Sequence, residues 1–209
     1  MASNFRSRFA AMVDELQANS RVQIRSVTFG DPAPAEEIAA LGAAVPVLPP
    51  GLTSFFQEMN GFGLEWEITV EDLRSNSDAD CGFINIGGIS DVFDLGVGRT
   101  WHPGQPGGDR FKPIRPVDIF VPEACAALMQ TSGGNVPDTI HFHIFGEDTI
   151  DTRYTFLEWL DRLIASRGLW YWIESLCPEL QEEQPVVEFR KKMPLLFADY
   201  DNDLFQPKT

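Results

Sequence analysis

Cysteine is scarce in this chain: Cys81, Cys125 and Cys177 are odd in number, widely separated and in no C-x-x-C pair. That argues against a disulfide framework and a cysteine-built zinc site, and makes the reducing cytoplasm the expected compartment. Basic residues are also few, 16 Lys and Arg against 31 Asp and Glu, for a formal charge of −15. Such a charge repels nucleic acid phosphates and anionic lipid, so a basic protein is the favoured partner, with nucleic acid and membrane disfavoured. No apolar run is long enough for a bilayer, and Arg6, Arg8, Asp14 and Glu15 at helical spacing give a start that reads as neither signal peptide nor anchor. There is no G-K-S/T phosphate loop and no G-x-S-x-G elbow, and Trp101 follows Gly96 and Gly98 where a dinucleotide fingerprint needs a third glycine. Asp199, Asp201 and Asp203 imitate the start of a calcium loop, but Leu204 stands where glycine is required and no twelfth-position Glu follows.

What is present is apolar and aromatic: 16 Phe and 5 Trp in 209 residues are enough to fill one sizeable core, so residues 1–209 are expected to form one domain. The charge is uneven, with ten acidic and one basic side chain between residues 31 and 80. That stretch is either a solvated face or a surface that steers a cationic partner.

Apolar periodicity predicts a helix over residues 4–18 (Phe5, Phe9, Met12, Val13, Leu16), a strand at Val22–Phe29, and a helix after DPAP with Ile38, Leu41 and Val45 buried. A further helix enters at Leu48-Pro49-Pro50, buries Leu52, Phe55, Phe56 and Met59, and stops at Asn60-Gly61. Leu64, Trp66, Ile68 and Val70 then alternate with Glu65, Glu67 and Thr69, the period of two of a strand with one apolar and one acidic face. Strands are also predicted around Ile84, Ile86 and Ile89, with Gly87-Gly88 a bulge or turn, at residues 116–122 and at 139–145. The glycine- and proline-rich segment 101–109 reads as a loop and EACAALM as a small helical piece. The late pattern is helical again at 154–168, at LWYWIESL, and in EFRKKMPLLF until a break near Pro194. The fold class expected is α+β: a central antiparallel or mixed sheet with helices grouped before and after it.

Leu48, Pro49, Asn60, Gly61 and Trp66 in that order, the Gly-Phe-Ile-x-Ile strand at 82–86 and the helix YTFLEWLDRLIASRG together resemble the SUKH superfamily of Smi/Knr-type cell-wall assembly regulators and bacterial immunity proteins. The likeness covers residues 35–165 and leaves 1–30 and 166–209 as flanking extensions. It implies an α+β fold with a central sheet and a toxin-binding role, and it carries over no catalytic residues.

Three functions follow. In the first, an immunity protein binds a basic effector toxin through Glu65, Glu67, Glu71 and Asp72, with Trp170 and Trp172 as aromatic anchors. The second is a regulatory scaffold of the cell-wall-regulator type. The third is an enzyme. In it, His141 and His143, two apart on a strand, share a face and hold a metal with His102 or a carboxylate, or Cys125 or Cys81 acts as a nucleophile. The polar face of a strand whose other side carries Ile140, Phe142 and Ile144 explains the same histidines without a metal, and no cofactor is expected.

Overall fold

The computed structural model describes residues 4–75, 78–93, 104 and 107–208. The expected loop at 101–109 falls mostly outside these residues, as do Gly96, Gly98, Trp101 and His102. In chain order the elements are α1 (Phe5–Ala18), β1 (Val22–Phe29), α2 (Ala35–Ala44), α3 (Leu52–Glu58), β2 (Phe62–Ile68), β3 (Cys81–Ile86), α4 (Ile89–Phe93), β4 (Ile114–Val121), β5 (Ala124–Met129), β6 (Ile140–Ile144), β7 (Thr149–Tyr154), α5 (Phe156–Ser166) and α6 (Gln184–Leu196). The seven strands form one antiparallel sheet in sequential order, each pairing with its neighbour in the chain. The fold is α+β with a central antiparallel sheet, as the sequence predicts; α1 precedes the sheet and α5 and α6 follow it, while α2, α3 and α4 lie between strands.

One continuous core runs from Phe5 to Phe205. Phe9 of α1 meets Phe62 of β2 at 4.4 Å between ring centroids, Phe55 of α3 meets Phe156 of α5 at 6.1 Å, and Trp159 of α5 meets Trp172 at 6.5 Å. These aromatics join helices that are distant in sequence onto one face of the sheet, where burial of large rings supplies most of the driving force. Helix α5 starts at a capping box: Thr155 Oγ accepts from the Glu158 amide at 3.3 Å, and Glu158 Oε2 accepts from the Thr155 amide at 2.9 Å.

Trp66, the centre of the recognised motif, is fully buried; its Nε1 donates to the Arg167 carbonyl at 2.7 Å and its ring meets Phe197 edge-on at 5.9 Å. Gly82 is its partner across the β2–β3 pair, and a Cβ there would overlap the indole. The glycine of the Gly-Phe-Ile strand is thus required by Trp66.

Several expectations are corrected. EACAALM is strand β5, because its run is buried on both sides, Ala124, Ala126 and Leu128 in the main core and Cys125 and Ala127 in a second cluster with Phe111 and Ile114. Tertiary burial overrides the helix propensity of alanine and leucine there. LWYWIESL is not a continuous helix: Leu169 bridges Gly82, Tyr171 is left-handed at φ 53°, and only Trp172–Leu176 winds into a 3-10 turn. Strand β7, TIDTRY, was not expected: Ile150, Thr152 and Tyr154 do alternate with Asp151 and Arg153, but with polar Thr152 at its centre the inward face is too weakly apolar to stand out. Ile89, expected in the strand with Ile84 and Ile86, instead starts helix α4. Helix α3 ends on extended Met59 before Asn60-Gly61, and α6 continues through Pro194 to Leu196.

Candidate functional site

The sheet has two unlike faces. Phe62, Leu64, Trp66 and Ile68 of β2 point to the helices, and Gly63, Glu65 and Glu67 point the other way. On this second face the β4–β6 half is covered by the 3-10 turn Gly108–Phe111, which packs Phe111 against Ile114, Cys125 and Ala127. The β1–β3 half keeps exposed side chains, among them Ser26, Thr28, Glu65 and Asn85.

The two halves separate between β3 and β4, which share a single residue pair, Ile86 with Asp118. Residues 168–170 take the place of β4 along the start of β3: the Phe83 amide donates to the Gly168 carbonyl at 2.8 Å, and the Trp170 amide donates to the Cys81 carbonyl at 2.9 Å. Displaced from β3, the outer half of β4 leaves a groove of about 380 Å³ lined by Phe83, Asn85, Ile119, Val121, Pro122 and Trp170. A second cavity of about 280 Å³ adjoins it, sharing Asn85 and Ile119, and is walled by Gly61, Gly63, Gly87 and Gly88 with Asn60 and Asp91. Glycine is structurally demanded at Gly88, where a Cβ would sit 2.9 Å from Asn60 Oδ1, the atom that accepts the Ile89 amide and starts α4. Among the described residues no Lys or Arg lines either cavity.

Beneath the junction lies Asp118, fully buried. Its Oδ1 accepts the Asn85 amide at 2.7 Å, standing in for the missing β4 carbonyl, and its Oδ2 has no hydrogen-bond partner among the described residues. Burial drives the carboxyl up to about 7, against the pull of the Asn85 bond. Cys125 lies across the β5–β6 pair from His143, and both are fully buried. Burial, and then the nearby Asp118, push the Cys125 thiol up, so the thiolate that nucleophilic attack needs is disfavoured.

His141 and His143 share a strand face as expected, in different settings. Neither ring nitrogen of His143 has a partner among the described residues, and its ring lies 5.7 Å from those of both Phe111 and Phe145. Burial holds its pKa down, with Arg110 adding to the effect. Half-buried His141 is lowered by burial too, while Asp151 across the β6–β7 pair opposes the shift. Among the described residues no group of three His, Cys, Asp or Glu side chains is placed to hold a metal. Asp199 serves a structural end, bonded to Arg167 at 2.6 Å.

The acidic candidates divide in two. Glu65 and Glu67 sit on the open face of β2, where Glu67 pairs with Arg25 and Glu65 stands across from Phe83. Glu71 and Asp72 are exposed on the 3-10 turn that follows β2. Trp170 lines the groove half-buried, whereas Trp172 is 1% exposed against Trp159 and Phe205 and is corrected from a surface anchor to a core residue. Phe83, Asn85, Ile119 and Asp118 were missed. The lone carboxylate inside the apolar run PVDIFVP was the one signal, because an acid in a buried strand needs a reason.

A scan against protein-family models finds no match to this chain, and neither does a search of curated proteins or of solved structures.

Proposed function

We propose that this chain is a protein-binding module of the immunity type, which neutralises a basic effector toxin by direct binding, in keeping with the SUKH resemblance of its sequence. The observation that carries this reading is the acidic face of the β1–β3 half-sheet, which no other described element covers, with Glu65 on it, Glu67 paired there with Arg25, and Glu71 and Asp72 at its end. On a chain of charge −15 such a face attracts cationic surfaces and speeds their association, while the groove beside it supplies apolar contact area. The burial of Cys125 and the apolar surroundings of His143 favour binding over chemistry at those residues. No helix among the described residues is long and apolar enough to cross a membrane.

The test is co-expression. A stoichiometric basic partner that kills cells when expressed alone and is harmless beside this chain supports the reading; several weak, substoichiometric partners overturn it in favour of a regulatory scaffold. With the partner in hand, Glu65→Lys with Glu67→Lys is expected to slow association roughly tenfold at low salt and to flatten its salt dependence. Unchanged on-rates would remove this face from the interface.

A further inference from the structure

We infer that the groove between β3 and β4 is the seat of an extended cationic segment of the partner, with an apolar residue lodged against Phe83, Ile119 and Trp170 and a flanking Lys or Arg held by Glu65. This rests on the binding function proposed above and states where and by what chemistry binding occurs.

Four observations converge. Since β3 and β4 pair only at Ile86 and Asp118, no residue of β3 pairs with Ile119, Phe120 or Val121, and a groove opens beside this part of β4, bounded on the other side by Phe83 and Trp170. An extended chain is the shape that fits a groove running along a strand, and it brings side chains to one face at every second residue. The walls are aromatic and aliphatic, and Trp170 meets Tyr171 edge-on at 5.2 Å, so the indole is braced in place before a ligand arrives. Braced aromatics lose little entropy on binding, which is why they dominate interface energetics.

The third observation is Asn85. Its side chain is exposed at the point shared by the apolar groove and the glycine-walled cavity, and it makes no hydrogen bond to the described residues. A free amide at that position offers a donor and an acceptor together, the pair that a peptide backbone requires. The fourth is charge. Glu65 stands beside Phe83 on one bank, Glu123 follows Pro122 on the other and accepts the Tyr171 hydroxyl at 2.7 Å, and among the described residues neither Lys nor Arg lines the groove. An acidic peptide would meet uncompensated repulsion there, whereas a basic one gains at both banks.

The experiment uses the full chain and two capped hexapeptides, one alternating Arg with Leu and one alternating Glu with Leu, followed by two-dimensional amide NMR with the tryptophan indole signals. The basic peptide is expected to shift the resonances of Phe83, Asn85, Ile119 and Trp170, and the acidic one to leave them unmoved. Asn85→Arg, a change at an exposed side chain that leaves the core untouched, should weaken the basic peptide more than tenfold by filling the groove with a cation. Binding that maps to Glu71 and Asp72 instead, equal response to both peptides, or full affinity in Asn85→Arg would overturn the proposal. Such a failure concerns the groove alone; the immunity reading falls only on the co-expression result.

Discussion

Asp118 makes the stability of this protein depend on pH in a direction opposite to that of an ordinary salt-bridged carboxylate. Its folded-state value of about 7 lies above the ordinary 3.8, so between those values the folded protein holds a proton that the unfolded chain has released. Stability is therefore greatest at the acid end of this window and falls as the pH rises through about 7. Three units at about 1.36 kcal/mol each give about 4 kcal/mol over the whole window, of which about 3 kcal/mol falls between about pH 5 and about pH 8. Asp118→Asn retains the oxygen that accepts the Asn85 amide and carries no charge. Below about pH 4 it should match the parent, near pH 5 it should be more stable by about 1.5 kcal/mol, and near pH 8 by about 4 kcal/mol, a urea midpoint shift of roughly 2 M for an m-value of about 2 kcal/mol per M. Glu174, raised to about 7 by burial and then by Glu183, acts in the same sense, so the comparison is best made again with Glu174→Gln in both proteins. Urea titrations followed by tryptophan fluorescence provide the measurement. An Asp118→Asn variant whose pH dependence parallels that of the parent would show that this carboxyl does not titrate in the folded state as argued.

The opposite behaviour belongs to Asp80. Burial would raise its carboxyl, but Lys192 at 2.7 Å and the amide and hydroxyl of Ser75 outweigh that and hold it at about 2, so its contribution is complete above pH 3.8 and is lost as the pH falls through about 2. Lys192→Met leaves this buried carboxylate unpaired and is expected to cost about 3–5 kcal/mol at neutral pH, read as the drop in urea midpoint. Gly82→Ala should destabilise by about 1–3 kcal/mol by driving a methyl into the Trp66 indole, and a Trp66→Phe background should relieve part of that cost in a double-mutant cycle. His143→Phe removes two unbonded ring nitrogens from among Phe111 and Phe145 and is expected to stabilise by roughly 1 kcal/mol, measured as a higher thermal midpoint; a loss of stability would mean that the imidazole has a partner in the native protein.

The sequence by itself determined the elements whose burial is one-sided. Helices α1 and α5 and strand β2 follow directly from apolar residues at periods of 3.6 and 2, because each packs one stripe or one face on the core and leaves the other to water. The acidic outer face of β2 was legible for the same reason. Tertiary structure alone decided the rest. A strand covered on both sides, such as β5, has no alternation to read, and an edge strand such as β7, whose inward residue Thr152 is polar, shows too weak an apolar contrast. Where Trp172 ends and Trp170 begins to be exposed depends on Leu169 bridging to Gly82, a contact between residues 87 positions apart. The groove arises from that bridge, since the chain at 168–170 occupies the place along β3 that β4 would otherwise fill, and Asp118 is buried because its carboxylate completes the hydrogen bonding there. A binding groove made by two segments competing for one strand edge has no local signature, because backbone hydrogen-bonding capacity is the same at every residue and only the fold decides which partner takes it.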